Sequence, residues 1–353
     1  MANLFKNMLS AEESLFINPE ALDYDYLPKL LPFREDQQFY LANCIKPLFS
    51  KRNTSNVLIT GAPGIGKTAA CKFVLRDLEM ETNRIVPLYV NCWKKDTAHK
   101  VVLEICNQLG YHWIQNKKTH ELFKEIAEQL NKKSAVIILD EIDKLEDEQV
   151  IYQLIEDIYR KCLILITNDK EWISTLDKRV YSRLLPKSLE FSPYNAKETE
   201  GILKQRLEYA FVPDIWDEEA FNLIVDKAVE AKDIRTGLFL LREAGNMAEN
   251  KSSRKILNEH AQAAIERLST FKIRNSKDLT EEENDLLSLI RTHPNLTSTE
   301  IYDRYKNTYN KTYRTFHRKL KGLEESGLIT ISEDNTEKGG KISRLKVEGE
   351  NPK

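Results

Sequence analysis

A chain of 353 residues is long enough for two or three domains and a sizeable buried core, which excludes a small scaffold that depends on cross-links. With 41% hydrophobic and 31% charged residues it reads as a globular protein, and no apolar run approaches the ~20 residues of a membrane helix. A net charge of -2 leaves any grip on nucleic acid to local basic patches. The five cysteines, Cys44, Cys71, Cys92, Cys106 and Cys162, are scattered without CxxC spacing, so buried thiols are expected rather than disulfides or zinc. The opening "MANLFKNMLSAEESLF" lacks the marks of a signal peptide, so the cytoplasm is the expected compartment and no membrane partner is expected.

From Val57 to Phe191, apolar runs of strand length alternate with helix-length periodic segments. The strands are "NVLIT", "IVPLYVN", "AVIILD", "CLILIT" and "KSLEFS", and helices begin near Lys67, Ala98, Thr119 and Asp147, with another near Glu198 beyond the last strand. This order predicts an α/β fold, a five-stranded parallel sheet with helices on both faces.

The first strand runs into "GAPGIGKT", which fits G-x-x-x-x-G-K-[ST] between a strand and a helix, the context in which that motif holds phosphate. Gly61, Gly64 and Gly66 free the backbone to curl, so that the run Gly61, Ala62, Pro63, Gly64, Ile65, Gly66 to Ala69 can wrap phosphate and its N–H groups, of which Pro63 has none, can converge on phosphate oxygens at a helix amino terminus. Lys67 is expected to reach the terminal phosphates and Thr68 to offer its hydroxyl to Mg²⁺. ATP or ADP with Mg²⁺ is therefore the expected ligand.

The third strand ends in Asp140 and Glu141. At the carboxyl edge of a parallel sheet Asp140 can hold Mg²⁺ through water, and Glu141 can orient a water for in-line attack. Asp143 reads as part of a capping cluster. Asn168, after the fourth strand, either holds the attacking water or is a turn residue.

Beyond "FSPYN" every segment to Phe271 is helical in period, which marks a separate helical domain. Lys272–Thr280 reads as a linker ending in a capping threonine, with Glu283 at the capping-box position. The rest offers the helical stretches "EEENDLLSLIRTH", "TSTEIYDRYKNTY" and "TYRTFHRKLKGLEESG", then "LITISED", a Lys-Gly-Gly-Lys turn and "ISRLKVE". Three helices followed by a hairpin is the order of a winged helix.

In the third of those helices Tyr313, Phe316, Leu320 and Leu323 recur at core spacing, and Arg314, His317, Arg318 and Lys321 line the opposite face, as a helix laid in a major groove requires. Lys311 and Lys319 are expected to flank it at phosphates, and Lys338 and Lys341 to place the wing on DNA. The alternative is a solvated basic face on a module that binds protein.

Together these elements resemble the AAA+ ATPases, in which a helical lid follows the nucleotide-binding sheet. The resemblance implies a lid arginine reaching back to the nucleotide, here Arg235 in "KDIRTGLFLLREA". It also implies an arginine finger donated to a neighbouring subunit, here Arg183 in "LDKRVYSRLLP", with Arg179 second; surface salt bridges are the plainer reading of each.

The stretches "YLPKLLPFREDQ", "VNCWKKDTAHKVVLEICNQLG", "LDEIDKL" and "KRVYSRL … FSPYNAKE" narrow the resemblance to the archaeal initiator family related to the eukaryotic origin recognition complex and cell-division-control loader. It implies Arg34 near the adenine and a DNA-contacting helix within Thr97 to Leu109. The implied domains are an amino-terminal segment (1–24), a nucleotide-binding domain (25–192), a lid (193–271) and a winged helix (278–348). The chain departs from the family in Ile65, where a threonine is common, and in a less basic wing.

The implied function is a replication initiator with slow ATP hydrolysis that binds duplex origin DNA and other initiator protomers in association with the nucleoid. A replicative helicase is a further partner that the sequence leaves open. The alternative is an AAA+ regulator or loader subunit whose winged helix contacts protein.

Overall fold

In the computed structural model, which describes residues 14–274, 281–293, 297–309, 311–325, 329–335 and 341–347, the predicted strands form one parallel sheet. They are β1 (Val57–Thr60), β2 (Ile85–Asn91), β3 (Ser134–Asp140), β4 (Lys161–Thr167) and β5 (Lys187–Glu190), in the order β2-β3-β4-β1-β5. Every residue of β3 is buried, because alternate side chains serve opposite faces. Ala135, Ile137 and Leu139 join one core, and Val136 and Ile138 join the other.

The second of these cores is covered by α1 (Glu35–Ile45) and α2 (Lys67–Glu81). The first is covered by α3 (Ala98–Gln108), α4 (Thr119–Leu130), α5 (Gln149–Asp157) and the short α6 (Trp172–Thr175) and α7 (Lys178–Leu184). All five cysteines are free and buried in these layers.

Some boundaries differ from expectation for local reasons. The helix expected near Asp147 starts at Gln149, whose amide bonds the Asp147 carboxylate at 2.8 Å. The helix expected near Glu198 starts at Ala196, because Asn195 and Glu198 exchange side-chain-to-backbone bonds of 2.9 Å in a capping box. The last strand ends at Glu190 rather than reaching Ser192, although the Phe191 amide still donates to Thr60 O at 2.8 Å.

The chain divides into two compact units, Met1–Ala261 and Gln262–Lys353. The first holds the sheet and, after it, α8 (Ala196–Ala210), α9 (Glu218–Ala231) and α10 (Ile234–Asn250); α11 (Asn258–Arg274) runs through the division. Asp217 and Asp233 cap α9 and α10. A strap from Ser14 to Tyr26 lies along these helices: Leu15 N donates to Glu249 Oε1 at 2.8 Å, Phe16 stacks on Phe211, and the buried Arg206 guanidinium donates to Ala21 O and Tyr26 O.

Helix α11 continues through Arg274, so the first three positions of the expected linker are helical, in keeping with the good helix propensity of Lys and Arg. Residues 275–280, with the expected Thr280 cap, lie outside the described residues, as do residues 1–13, the Lys338–Lys341 turn up to residue 340, and the tail.

The second unit contains α12 (Glu281–Thr292), α13 (Ser298–Tyr309) and α14 (Tyr313–Glu325), followed by β6 (Ile329–Asn335) and β7 (Lys341–Val347), paired antiparallel. Its own core gathers Leu286, Ile290, Ile301, Tyr305, Phe316, Leu320, Leu323, Ile329 and Leu345. The element order is that of a winged helix.

Candidate nucleotide site and candidate nucleic-acid interface

Parallel strands bring their carboxyl ends to one edge, and there the loop after β1, the end of β3 and the end of β4 surround a cavity of about 270 Å³. Its lining includes Gly64, Gly66, Lys67, Thr68, Ala69 and Pro63 from the loop, together with Asp140, Glu141, Asn168 and Arg235. Gly66 sits at φ 89°, and a Cβ there would lie 2.4 Å from the Tyr194 hydroxyl, so both backbone and space demand glycine.

Lys67 opens α2 and is almost fully buried. Its ammonium donates to Gly61 O at 2.8 Å, to Ala62 O at 2.7 Å and to Asn168 Oδ1 at 2.7 Å. Burial lowers its pKa to about 8 against the opposing pull of Asp140 and Glu141. Asn168 thus joins the loop to the end of β4, which a simple turn residue would not do.

Asp140 is also buried and accepts at both oxygens. Thr68 Oγ1 and the Tyr89 hydroxyl each donate to Oδ2 at 2.7 Å, and the Glu141 amide donates to Oδ1 at 2.9 Å. Burial and the Asp140 charge push the Tyr89 hydroxyl pKa far up, so it stays protonated and donating.

Glu141 adopts a left-handed backbone at φ 54°, uncommon for a residue with a side chain and frequent where function holds strain. Burial, Asp140 and Asp143 raise its carboxyl pKa. Asp143 accepts from Thr167 Oγ1 at 2.8 Å and pairs with Lys144, which ties the turn after β3 to β4 rather than capping a helix.

Arg34 does not line the cavity. Its guanidinium is buried behind the loop, donating to Ile65 O at 2.9 Å and Ser192 O at 2.7 Å with Tyr194 stacked 3.7 Å away, so it braces the loop. Ile65 itself is buried in the core, and only its backbone serves the loop. Gly61 and Ala62 contribute the carbonyls that hold Lys67.

Arg235 reaches the cavity from α10, its guanidinium gripped by Asp233. Arg183 and Arg179 lie on α7 with exposed side chains away from this cavity; Arg183 Nε is 3.4 Å from Glu156. Tyr89, Tyr194 and Asp233 join the site without any signal in the sequence. Nothing in a strand tyrosine or a loop aspartate distinguishes it until parallel strands and the lid bring it to the loop.

On the second unit, α14 buries Phe316, Leu320 and Leu323 and exposes His317, Arg318 and Lys321 on the other side. Tyr313, expected in the core, is 45% exposed and packs edge-on against Tyr302. Lys319 departs from expectation: it pairs with Glu282 at 3.3 Å and Glu283 at 3.6 Å and is tied to α12. Arg314 and Lys341 lie within α14 and β7, with side chains outside the described residues; Lys338 lies outside them altogether.

Residues 51–168 match the family described as AAA domain, and residues 200–266 match the Cdc6 AAA+ ATPase-type lid domain. The chain is 34% identical to an ORC1-type DNA replication protein of Methanocorpusculum labreanum, over 76% of this chain and 69% of that one. It is 30% identical to ORC1-type DNA replication protein 1 of Archaeoglobus fulgidus, over 99% and 91%. Among solved structures it resembles the Aeropyrum pernix ORC1 protein in complex with DNA, with a TM-score of 0.75, 26% identity and coverage of 97% and 95%.

Proposed function

Because the chain belongs to the ORC1-type family of archaeal DNA replication proteins, AAA+ ATPases with a Cdc6-type lid, we propose that it is a replication initiator that binds duplex origin DNA and uses ATP binding and slow hydrolysis as a conformational switch. The observation that carries this reading is the convergence of Lys67, Thr68, Asp140, Glu141, Asn168 and Arg235 on one cavity reached by both sheet and lid. A site whose walls belong to two layers transmits its occupancy to both.

The donor set fits Mg²⁺: one hydroxyl, Thr68, and one carboxylate, Asp140, already 2.7 Å apart and oxygen-only, leave the remaining positions to water and phosphate. When bound, Mg²⁺ neutralises phosphate charge. Lys67 and the loop amides bind the phosphates, Glu141 orients water and accepts its proton, and Asn168 positions that water. Tyr89 orients Asp140. Tyr89→Phe should therefore raise the Mg²⁺ concentration needed for half-maximal turnover on the order of tenfold, leaving metal-free nucleotide binding unchanged; a metal titration of both proteins checks this.

Arg183, with Arg179 beside it, is exposed for donation to the nucleotide of a neighbouring protomer, a head-to-tail arrangement that builds rings or filaments. Its ion pair with Glu156, half-exposed, is weak enough to exchange. The proposed modules are the nucleotide-binding part, 25–192, the lid, 193–271, and the winged helix, 278–348. A replicative helicase would be a further partner.

DNA is met by α14. The relative from A. pernix was solved with DNA bound, and here His317, Arg318 and Lys321 present an exposed basic face on a helix whose other face is core. Replacing Arg314 and Arg318 with alanine should weaken duplex binding by about tenfold or more per arginine. It should also flatten the salt dependence by roughly one unit of slope for each phosphate that is no longer neutralised. Binding isotherms at several salt concentrations test this. Unaltered binding would make the module a protein-binding one and defeat the reading.

A further inference from the structure

Asp233 precedes α10 and does more than cap it. Its Oδ1 accepts from the Arg235 backbone amide at 2.9 Å, and the same carboxylate takes the Arg235 side chain as a fork, with Nε to Oδ1 at 3.0 Å and Nη2 to Oδ2 at 2.7 Å. The carboxylate also stands directly on the phosphate loop: a Cβ built on Gly64 would lie 1.8 Å from Asp233 Oδ1, and the next amide, Ile234 N, donates to Gly64 O at 3.3 Å. An anion is thus held against the loop that is shaped to receive anions. Two lid arginines line the cavity. Arg206 is buried and committed to the carbonyls of Ala21 and Tyr26, whereas Arg235 is half-exposed and held by Asp233.

The guanidinium fork suits a carboxylate and a phosphate by the same geometry, two parallel N–H donors onto two oxygens. We propose that Asp233 is an intramolecular competitor for nucleotide phosphate: it occupies Arg235 and closes the lid onto Gly64, and a bound polyphosphate must take Arg235 from it. The inference rests on the reading of Arg235 as a phosphate-facing lid residue. It adds that the arginine is delivered by exchange between two anions. Asp233 then sets the nucleotide concentration at which the lid changes partner, and it repels phosphate while the fork is unexchanged.

The test is a double-mutant cycle read by equilibrium binding of a non-hydrolysable ATP analogue, with thermal melting as the control for folding. Asp233→Asn is the informative variant, since asparagine caps a helix as well as aspartate and has the same shape, while it removes the charge and one of the two accepting oxygens and so releases the Arg235 fork. It should bind the analogue about five- to tenfold more tightly, in the range usual for coupled sites. In an Arg235→Ala background the same change should give a markedly smaller gain. If Asp233→Asn leaves affinity unchanged or lowers it while Arg235→Ala weakens binding, Asp233 merely orients Arg235 and the proposal is overturned alone. If Arg235→Ala leaves binding unchanged, the phosphate-facing reading of Arg235 fails and the proposal with it.

Discussion

Lys67→Ala is expected to remove ATP binding, the largest single effect in this protein. The ammonium makes three hydrogen bonds inside the loop and to Asn168, so it is preplaced where phosphate oxygens would be bound. Loss of two charge-assisted bonds at about 1.5–3 kcal/mol each predicts affinity falling on the order of a hundredfold or more. Circular dichroism of the nucleotide-free variant should be native, because removing a buried ammonium also removes the cost of burying it.

The same lysine gives the binding reaction a proton signature. Its pKa of about 8 in the nucleotide-free protein lies below the usual lysine value, so near pH 8 part of the population is neutral. Phosphate charge draws the pKa back up, and binding at pH 8 should take up on the order of half a proton, with affinity falling as pH rises above that value. Calorimetry in buffers of different ionisation enthalpy measures this uptake. Proton-neutral binding at pH 8 would contradict the assignment of Lys67.

Glu141→Gln is the second. Binding should persist, because the amide keeps the shape and leaves Lys67, Thr68 and Asp140 in place, while turnover should fall by about 10²–10⁴-fold, the usual worth of a general base. Burial and its carboxylate neighbours raise the Glu141 pKa, so the acid limb of the wild-type kcat/KM profile, which reports the free protein, should lie above the range of an ordinary glutamate. The sign is that of a base: activity is lost as pH falls through the raised pKa and is complete above it. Equal rates for wild type and Glu141→Gln would end the water-activating role.

The parts of the site that the sequence displays are those that lie together along the chain. The run from Gly61 to Ala69 fits one template, and Asp140 and Glu141 end a continuous apolar strand, so their chemistry is local. Arg34 shows the opposite case. Its place before α1 suggests a contact with the base, yet three backbone carbonyls and an aromatic ring, from Phe33, Ile65, Ser192 and Tyr194, take the guanidinium behind the loop. Lys319 is similar: helical spacing places it beside the basic face, and two glutamates of α12 claim it. Spacing gives the face of a helix but not the charge of the element packed against it.

By itself the sequence determined the α/β order of elements, the phosphate loop, the two carboxylates after β3 and the basic face of α14, because periodicity and contiguous motifs are properties of neighbours in the chain. The tertiary structure alone decided that Tyr89 donates to Asp140, that Asn168 holds Lys67, and that Asp233, which grips Arg235, stands against Gly64. Tyr89 and Asp140 stand 51 positions apart in the chain, Lys67 and Asn168 stand 101 apart, and Asp233 is more distant still from Gly64. Only parallel strand pairing and the packing of α10 over the loop bring them within hydrogen-bond distance, where a carboxylate, an ammonium or a guanidinium acquires its partner and hence its role.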